Sequence, residues 1–410
     1  MKAEIIAVGS EMLTPDHLDT NSLFVTELLK AAGCEVHLKT VVGDDNADIE
    51  RVVRDALGRS DLVIMSGGLG PTEDDVTRAA VASALGRELT VDSGLIEALQ
   101  RRFAARGYRM PKINERQAQV IGGSRILDNP NGTAPGQWIE EGGVGIALLP
   151  GPPRELRPMV ERHILPWVRE RTGGRQCAER VLHITGMTES EVDSIAAPLY
   201  REYVAIRTTI LAKTGHIALH MSRWIDPADH PADLDELAGR IREALGDAVF
   251  STAREDLEEV VGRLLLDSGQ TLALAESCTS GMIGMRITRV PGSSRYFVGG
   301  VMCYSNAVKQ SLCGVSAGLL EKHGAVSVEC AEALALGIRN ALRSTIGLSV
   351  TGIAGPDGGT PEKPVGLVFA GVTDGKRTTG VKRILPGDRE MIRERAAYFA
   401  LSSLRRFLIS

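Results

Sequence analysis

The first 170 residues alternate short apolar runs with segments whose apolar positions recur every three or four residues. The short runs are typical of buried strands and the recurring spacing of amphipathic helices. Their alternation predicts βαβ units around a mainly parallel, doubly wound sheet, in which ligands bind beyond the carboxyl ends of the strands. We predict strands at residues 3–9, 34–42, 61–68 and 144–151, and helices at residues 21–33, 47–57 and 74–86.

A polar stretch with two adjacent glycines, residues 169–180, predicts the first linker. The pattern beyond it predicts a small α+β domain over residues 171–252 and a second α/β domain over residues 253–410. We therefore expect an α/β protein of three domains, the first ending at residue 170. The middle domain is too small for a deep pocket of its own, so a connecting or docking role is expected there.

Length and composition narrow the class of protein. At roughly 100–200 residues per domain, 410 residues are enough for two to four domains. A net charge of −5 with only 7 Phe, 6 Tyr and 3 Trp argues against nucleic-acid binding. No apolar stretch approaches the ~20 residues that cross a bilayer, and Glu4 interrupts what would be a signal-peptide core, so we expect a cytoplasmic protein without membrane contact.

Patterns for metal binding or disulfides are weak. The cysteines contain no C-x-x-C pair and are expected to be reduced thiols. His216 and His220 could form a metal pair on one strand face, but no carboxylate or thiol cluster lies near them in the sequence. The six cysteines are Cys34, Cys177, Cys278, Cys303, Cys313 and Cys330.

A glycine-rich turn follows the third predicted strand. Gly67, Gly68 and Gly70 let the backbone turn sharply and present N–H groups at a helix start, where an anion is favoured. Asp74 and Asp75 follow in the expected first helical turn, and carboxylates beside a phosphate commonly hold Mg²⁺ or a similar cation. The segment therefore predicts a phosphate or pyrophosphate site with a divalent metal.

A purely structural role for this segment stays open. Thr72 and Asp75 have the spacing of a capping box, in which both side chains only secure the helix start. The sequence excludes a Walker A loop, because no Gly-Lys-Ser/Thr follows, and a Rossmann fingerprint, because the G-x-G-x-x-G spacing is missing.

Three further polar loops stand at predicted strand ends and could serve as site or as scaffold. One carries Asp19 and Asn21, the second carries Gly132 and Thr133, and the third spans residues 149–155.

Ser277 stands where a buried strand passes into a helix in the third domain. Backbone N–H groups at such a helix start can stabilise an oxyanion during acyl transfer. Lys309 could serve as the base, since a desolvated lysine can lose its proton near neutral pH. Alternatively, Ser277 only caps the helix and Lys309 is an ordinary surface lysine. A second alternative pairs Cys278 as nucleophile with His323 as base.

Two more segments of this domain indicate an anionic small molecule. Thr351, Gly352 and Gly355 lie in a glycine-rich loop after a predicted strand. Arg389 begins the last predicted helix, and its planar guanidinium suits a phosphate or carboxylate.

Together these motifs resemble the CinA (competence/damage-inducible protein) family over essentially all 410 residues. The stretches that carry the resemblance are SGGLGPTEDDVTR, NPNGTAPG and LPGPP in the first domain, and AESCTSG, ITRVPGSSRYFVGGVMCYSNAVK, HGAVS, TGIAGPDGG and PGDR in the third.

The resemblance implies an activity for each large domain. The first is similar to the molybdopterin-binding fold, which this family associates with a metal-dependent ADP-ribose pyrophosphatase using Mg²⁺ or a transition metal. The middle domain resembles a KH-type domain. The third resembles a deamidase that hydrolyses nicotinamide mononucleotide (NMN) to nicotinate mononucleotide and ammonia without a cofactor. The family also suggests a homodimer.

The resemblance further assigns roles to residues. Ser277 and Lys309 correspond to the family's catalytic pair. One departure is Ser280, which stands where the family usually has glycine and could narrow the pocket if that position needs a positive φ. Alternatives to this function are a non-catalytic nucleotide sensor for a partner in DNA uptake or repair, and pterin-nucleotide binding by the first domain. The substrate-contacting positions are Thr279, Ser294, Tyr304, Thr351, Gly352, Gly355 and Arg389.

Overall fold

The computed structural model describes all 410 residues, Met1–Ser410. The chain divides into two units, one formed by Met1–Ala178 and Trp224–His230 and the other by Glu179–Arg223 and Pro231–Ser410. All six cysteines are free thiols. None of the helices has both the length and the apolar character needed to cross a membrane.

Eight strands belong to the first unit. They are β1 (Lys2–Val8), β2 (Glu35–Val42), β3 (Leu62–Ser66), β4 (Leu89–Val91), β5 (Gln119–Ile121), β6 (Arg125–Leu127), β7 (Gly136–Glu141) and β8 (Val144–Leu149). Six of them form a sheet in the order β2-β1-β3-β8-β7-β6, and β4 pairs with β5 in a separate ribbon. The pairings from β2 to β8 are parallel, whereas β7 and β6 add antiparallel strands at one edge.

Helices cover both faces of this sheet. Six helices occur in the unit: α1 (Thr20–Ala31), α2 (Asn46–Leu57), α3 (Thr77–Leu85), α4 (Ser93–Ala104), α5 (Pro153–Met159) and α6 (Leu165–Thr172). One apolar core contains residues of α1, α5 and α6, and a second contains residues of α2 and α3. β1 lies between β2 and β3, so the connections that follow β1 and β2 run to opposite sides of β1. Such a change of direction leaves a crevice at the carboxyl ends of β1 and β3.

The middle segment forms a four-stranded sheet with two helices. Its elements are β9 (Gln176–Ile184), α7 (Glu189–Tyr200), β10 (Arg207–Lys213), β11 (His216–Ile225), α8 (Ala232–Leu245) and β12 (Val249–Ser251). The strand order is β10-β11-β9-β12. This β-α-β-β-α-β succession with that order is the ferredoxin-like arrangement. The structure confirms the α+β class but not the KH-type resemblance.

The third predicted domain contains a five-stranded sheet. Its strands are β13 (Leu272–Glu276), β14 (Phe297–Met302), β15 (Ile346–Gly352), β16 (Leu367–Thr373) and β17 (Thr378–Ile384). The order is β14-β13-β15-β16-β17. β13 is parallel to both of its neighbours, and β16 and β17 continue antiparallel. The carboxyl end of β13 therefore lies at a switch point of this second α/β sheet.

Two helical layers enclose that sheet. The helices are α9 (Leu257–Asp267), α10 (Met282–Arg289), α11 (Asn306–Cys313), α12 (Ala317–His323), α13 (Val328–Leu342) and α14 (Arg389–Ile409). One core is built with α9, α10 and α14, and another with α11, α12 and α13. The α/β class predicted for both large domains is thus confirmed.

Candidate functional site

Ser277 lies directly beyond the carboxyl end of β13, where the chain turns toward α10. Its backbone N–H donates to the carbonyl of Val350 on β15 at 3.0 Å. The residue is 8% exposed. The hydroxyl is therefore held in a fixed place between two buried strands, as the strand-to-helix pattern predicted.

Lys309 on α11 reaches the Ser277 hydroxyl. Its Nζ lies 3.1 Å from Ser277 Oγ, 2.6 Å from the carbonyl oxygen of Cys303 and 3.1 Å from that of Tyr304. Lys309 is 1% exposed, so it is not a surface lysine. An ammonium group has three N–H donors, and here three acceptors stand around it. A neutral amine would donate to the two carbonyls and turn its lone pair toward the serine.

The buried carboxylate of Glu276 fixes the segment that follows Ser277. Oε2 accepts from the Thr279 hydroxyl at 2.7 Å and from the N–H groups of Gly281 and Ile283 at 3.0 and 3.1 Å. Oε1 accepts from the Gly284 N–H at 2.9 Å. Because these donors begin α10, the carboxylate caps that helix from inside the sheet. Glu276 was not among the predicted site residues, and its one signal in the sequence is that it is an acidic residue closing an apolar strand.

Three amides of the same segment make no backbone–backbone hydrogen bond. They are the N–H groups of Cys278, Thr279 and Ser280, of which the first two lie beside the Cys278 sulfur. The carbonyls of Cys278 and Thr279 accept instead from the guanidinium of Arg393 on α14, at 3.1 and 3.2 Å. The turn is thus held from its carbonyl side, and its N–H groups are left for an oxyanion.

Ser280 adopts a left-handed conformation with φ +52°. Only two residues other than glycine have positive φ in the whole chain, the second being Arg343. The side chain therefore carries the strain that a glycine would avoid at this position.

Three of the predicted substrate-contacting residues come together near the pair. The Arg389 guanidinium donates to the carbonyl of Gly355 at 2.5 Å and lies 3.5 Å from the Tyr304 hydroxyl. Tyr304 also supplies a carbonyl to Lys309, and its ring is 63% exposed. Both side chains can therefore meet a ligand beside Ser277.

Two other predicted contacts have their hydroxyls occupied inside the protein. Thr351 donates to the carbonyl of Ala325 at 2.8 Å and is buried, as is Thr279, which donates to Glu276. Gly352 closes β15 and leaves no room for a side chain, since a Cβ would lie 2.8 Å from the carbonyl of Leu367. The hydroxyl protons of Thr279 and Thr351 are thus used within the protein, and contact of these residues and Gly352 with substrate stays a prediction.

Ser294 lies away from the pair. It precedes β14, whereas Ser277 follows the parallel strand β13. Within one chain the two serines therefore lie at opposite ends of the parallel strands, Ser277 at the carboxyl end and Ser294 at the amino end. The structure does not bring Ser294 to the site predicted for it.

The pairing of Cys278 with His323 is not formed. Burial raises the pKa of the Cys278 thiol to about 12, which opposes formation of a thiolate. The His323 ring lies 3.1 Å from the carboxylate of Glu329 and makes no hydrogen bond to Cys278.

The crevice of the first unit is a cavity of about 540 Å³ at the carboxyl ends of β1 and β3. Gly67 needs to be glycine, since a Cβ there would lie 2.1 Å from the carbonyl of Val8. The N–H groups of Gly68 and Leu69 have no partner in the protein and can meet a phosphate. Predicted residues on the cavity lining are Asn21, Gly67, Gly68, Gly70, Asp74, Asp75 and Thr133.

The two aspartates have different environments. Asp75 accepts from the N–H groups of Gly70 and Thr72 at 2.7 and 2.8 Å and from the Thr72 hydroxyl at 2.5 Å. Asp74 is exposed, and the Thr72 hydroxyl and its own backbone N–H lower its pKa. Helix α3 begins only at Thr77, so the expectation that both carboxylates lie in its first turn is wrong. Asp75 closes a turn that precedes the helix.

Three residues predicted for this site do not reach the cavity lining. Asp19 caps α1 by accepting from the Ser22 N–H at 2.9 Å. Thr72 serves the turn just described, and the Gly132 carbonyl accepts from Arg102.

Arg78 holds the glycine-rich loop and was not among the predicted residues. Its buried guanidinium donates to the carbonyls of Leu69 and Gly70 at 2.9 and 3.0 Å. Burial lowers the pKa of Arg78 to about 10.

The fit of a metal follows from these contacts. No group of three or more His, Cys, Asp or Glu side chains is placed to hold a metal ion. His216 and His220 are therefore not part of such a group. Asp75 is committed to the turn, so Asp74 is the member of the pair that can offer oxygen atoms. Mg²⁺ commonly binds one or two carboxylates together with substrate phosphates. A single carboxylate, that of Asp74, beside a bound pyrophosphate would match this coordination.

Comparison with known proteins places the chain in a family. Residues 254–408 match the CinA C-terminal domain, and residues 4–170 match the probable molybdopterin binding domain. A CinA-like protein of Solibacter usitatus is 48% identical over 407 residues, covering 99% of this chain and 98% of that protein. The chain belongs to the CinA family. A putative competence-damage inducible protein of Desulforudis audaxviator is 43% identical over 410 residues, 100% of this chain and 99% of that protein.

Solved structures of CinA proteins match part of the chain. The crystal structure of CinA from Thermoplasma acidophilum, described as of unknown function, is 34% identical and covers 39% of this chain and 95% of its own, with a TM-score of 0.37. The family assignment of this CinA chain rests on the sequence matches.

The first prediction concerns Glu276 in this CinA chain. Glu276→Gln replaces an acceptor of four hydrogen bonds by an amide whose NH₂ faces donors, so we expect the free energy of unfolding to fall by about 2 kcal/mol. Urea unfolding measures the change. Glu321→Gln on the exposed face of α12 is the control and should shift it by less than about 0.5 kcal/mol. Equal stability of the two variants would refute the capping role.

The second prediction concerns Ser280. Ser280→Gly removes a Cβ from a left-handed position, so we expect the free energy of unfolding to rise by up to about 1 kcal/mol. The same change within a helix, Ser403→Gly in α14, should lower it by about 0.5–1 kcal/mol. Thermal unfolding of both variants tests this opposite sign, and a loss of stability in both would contradict it.

Proposed function

We propose that the site around Ser277 hydrolyses the amide of NMN to nicotinate mononucleotide and ammonia through an acyl-enzyme. The contact of Lys309 Nζ with Ser277 Oγ at 3.1 Å carries this proposal. A buried lysine beside a serine hydroxyl at a helix start is the constellation that a serine nucleophile with a lysine base requires. The family resemblance supplies the substrate.

Acylation begins when neutral Lys309 takes the Ser277 proton. The carbonyls of Cys303 and Tyr304 hold its two N–H bonds, so the lone pair faces the hydroxyl. Oγ then bonds to the amide carbon of NMN, and the N–H groups of the 278–280 turn, which no backbone carbonyl occupies, stabilise the oxyanion. Lys309, now protonated, returns the proton to the leaving nitrogen, and ammonia departs.

Deacylation uses the same groups in reverse. Water attacks the acyl carbon while Lys309 accepts its proton, and the ester bond to Ser277 breaks. The proton then passes back to Ser277 Oγ, and nicotinate mononucleotide leaves as the carboxylate after its new carboxylic acid releases the second proton of the water to solvent. The protonated amine finds three acceptors at each stage in which it forms, so neither half of the cycle leaves a buried N–H without a partner.

Arg389 and Tyr304 support binding of the nucleotide. The Arg389 fork is exposed and has donors left after its bond to Gly355, which suits a phosphate. The exposed Tyr304 ring beside it can contact the pyridine ring. The homodimer suggested by the resemblance stays a prediction.

A second function is favoured by the cavity of the first unit. We propose that it binds ADP-ribose and cleaves the pyrophosphate, with the phosphates at the free N–H groups of Gly68 and Leu69. A divalent cation held by Asp74 and the substrate would neutralise charge there and activate water. Arg78 keeps the loop in shape by binding its carbonyls.

The third prediction tests the catalytic pair. Ser277→Ala and Lys309→Ala should each abolish ammonia release from NMN, because one removes the nucleophile and the other its base. Cys278→Ala and the surface change Lys322→Ala should keep near-native rates, measured by a coupled ammonia assay. Activity in the Ser277 or Lys309 variant would refute the mechanism. NMN binding without turnover in the native protein would favour the non-catalytic sensor.

The fourth prediction tests the first unit. We expect AMP release from ADP-ribose with added Mg²⁺ or Mn²⁺ and its loss in excess chelator, followed by liquid chromatography. Asp74→Asn should lower the rate at least tenfold, because it removes the carboxylate available to the cation. Glu73→Gln, which loses only a surface pair with Arg116, is the matched control. Hydrolysis that persists in chelator would contradict the metal requirement, and binding of a pterin nucleotide without hydrolysis would favour the alternative.

A further inference from the structure

A second cavity, of about 310 Å³, lies within the second unit, and Ser277 and Lys309 are not among its lining residues. The turn between β9 and α7 and the β10–β11 hairpin form one side of it. The end of β17 and one face of α14 form the other. Its volume is at the lower end of the range of small-molecule sites, about 300–1,000 Å³.

Three cations line this cavity: Lys213, Arg383 and Arg395, of which Arg383 also acts electrostatically on the nearby Glu191. None of them has a carboxylate oxygen within 4.0 Å. Arg383 donates to the carbonyl of Gly186 at 2.6 Å and Arg395 to that of Pro386. A guanidinium has five N–H donors, so both retain donors for a ligand. Glu189 is the acidic residue on the lining, which leaves an excess of positive charge.

His216 supplies an independent sign of a polar ligand. It lines the cavity, is 8% exposed, and its Nδ1 is buried without a hydrogen-bond partner. Burial, followed by the nearby His183 and Lys213, lowers the pKa of this imidazole. His216 therefore puts a buried imidazole with an unpartnered ring nitrogen on the lining beside the cations, and a polar ligand could supply the missing hydrogen bond.

The rest of the lining is apolar. Ile217, Leu385 and Phe399 face the same space as the cations. An inorganic ion would use the charges and leave this surface in contact with water. A molecule that carries a negative group on an apolar body satisfies both parts.

We propose that this cavity binds a small organic anion, a carboxylate on an apolar ring or chain. Its charged group lies among Lys213, Arg383 and Arg395, and its apolar part packs against Leu385 and Phe399. This site is separate from the NMN site and does not depend on its chemistry.

Isothermal titration of the full chain with benzoate tests the proposal, with benzamide as the neutral probe of the same shape and inorganic phosphate as the anion without an apolar part. We expect one benzoate per chain, at least tenfold weaker binding of the other two probes, and weaker benzoate binding at high salt. Absence of benzoate binding, or equal binding of benzamide, would overturn the proposal.

Variants locate the bound benzoate. Lys213→Gln on the exposed hairpin and Arg395→Gln should each weaken it at least fivefold. Lys382→Gln, next to Arg383 on β17 but off the cavity, should not change it. Arg389→Gln and saturating NMN should also leave it unchanged, because they address the NMN site. Binding that is insensitive to Lys213→Gln, or that NMN displaces, would overturn the assignment.

Discussion

The buried carboxylate of Glu276 is the contact on which the third domain's site depends. Its side chain accepts the donors that open α10, which fixes the turn after Ser277. Its backbone carbonyl accepts from the Cys303 N–H at 2.8 Å, and the Cys303 carbonyl accepts from Lys309. A buried carboxylate is costly unless its lone pairs are used, and here every donor belongs to the site. One residue therefore ties the nucleophile and its base into a single network.

The architecture was largely predictable because buried parallel strands are continuous apolar runs. β1, β3, β13 and β15 are buried along almost their whole length and are mostly apolar, with Glu4 in β1 and Ser349 and Thr351 in β15 as buried polar exceptions in their interiors. The helices α4, α11 and α12 and the strands β4, β5, β6 and β7 were not predicted. The three-residue strands among them contain too few residues to establish a periodicity, and tertiary contacts decide their conformation.

The site was less predictable, because its geometry depends on contacts between distant residues. Ser277 and Lys309 are 32 residues apart, and only the turn from β14 into α11 brings them together, which spacing does not reveal. The residues offered that pair as one of several alternatives, and the family resemblance favoured it. The family resemblance does not reveal that the Thr351 hydroxyl donates to the carbonyl of Ala325, because that acceptor lies on another loop. The position of Ser294 likewise follows from the parallel pairing of β13 and β14.

Helix α14 follows every strand of its sheet in the chain, and this order bears on synthesis. It contributes Ile392, Leu401 and Leu404 to the core beneath β13–β17. The same helix supplies Arg389 and Arg393 to the site. As the chain leaves the ribosome, the strands emerge first with one face uncovered, and exposed apolar surface of this kind is prone to aggregate. Completing this core and completing the Ser277 site thus both wait for α14, so that site has no functional form in a nascent chain before the core is closed.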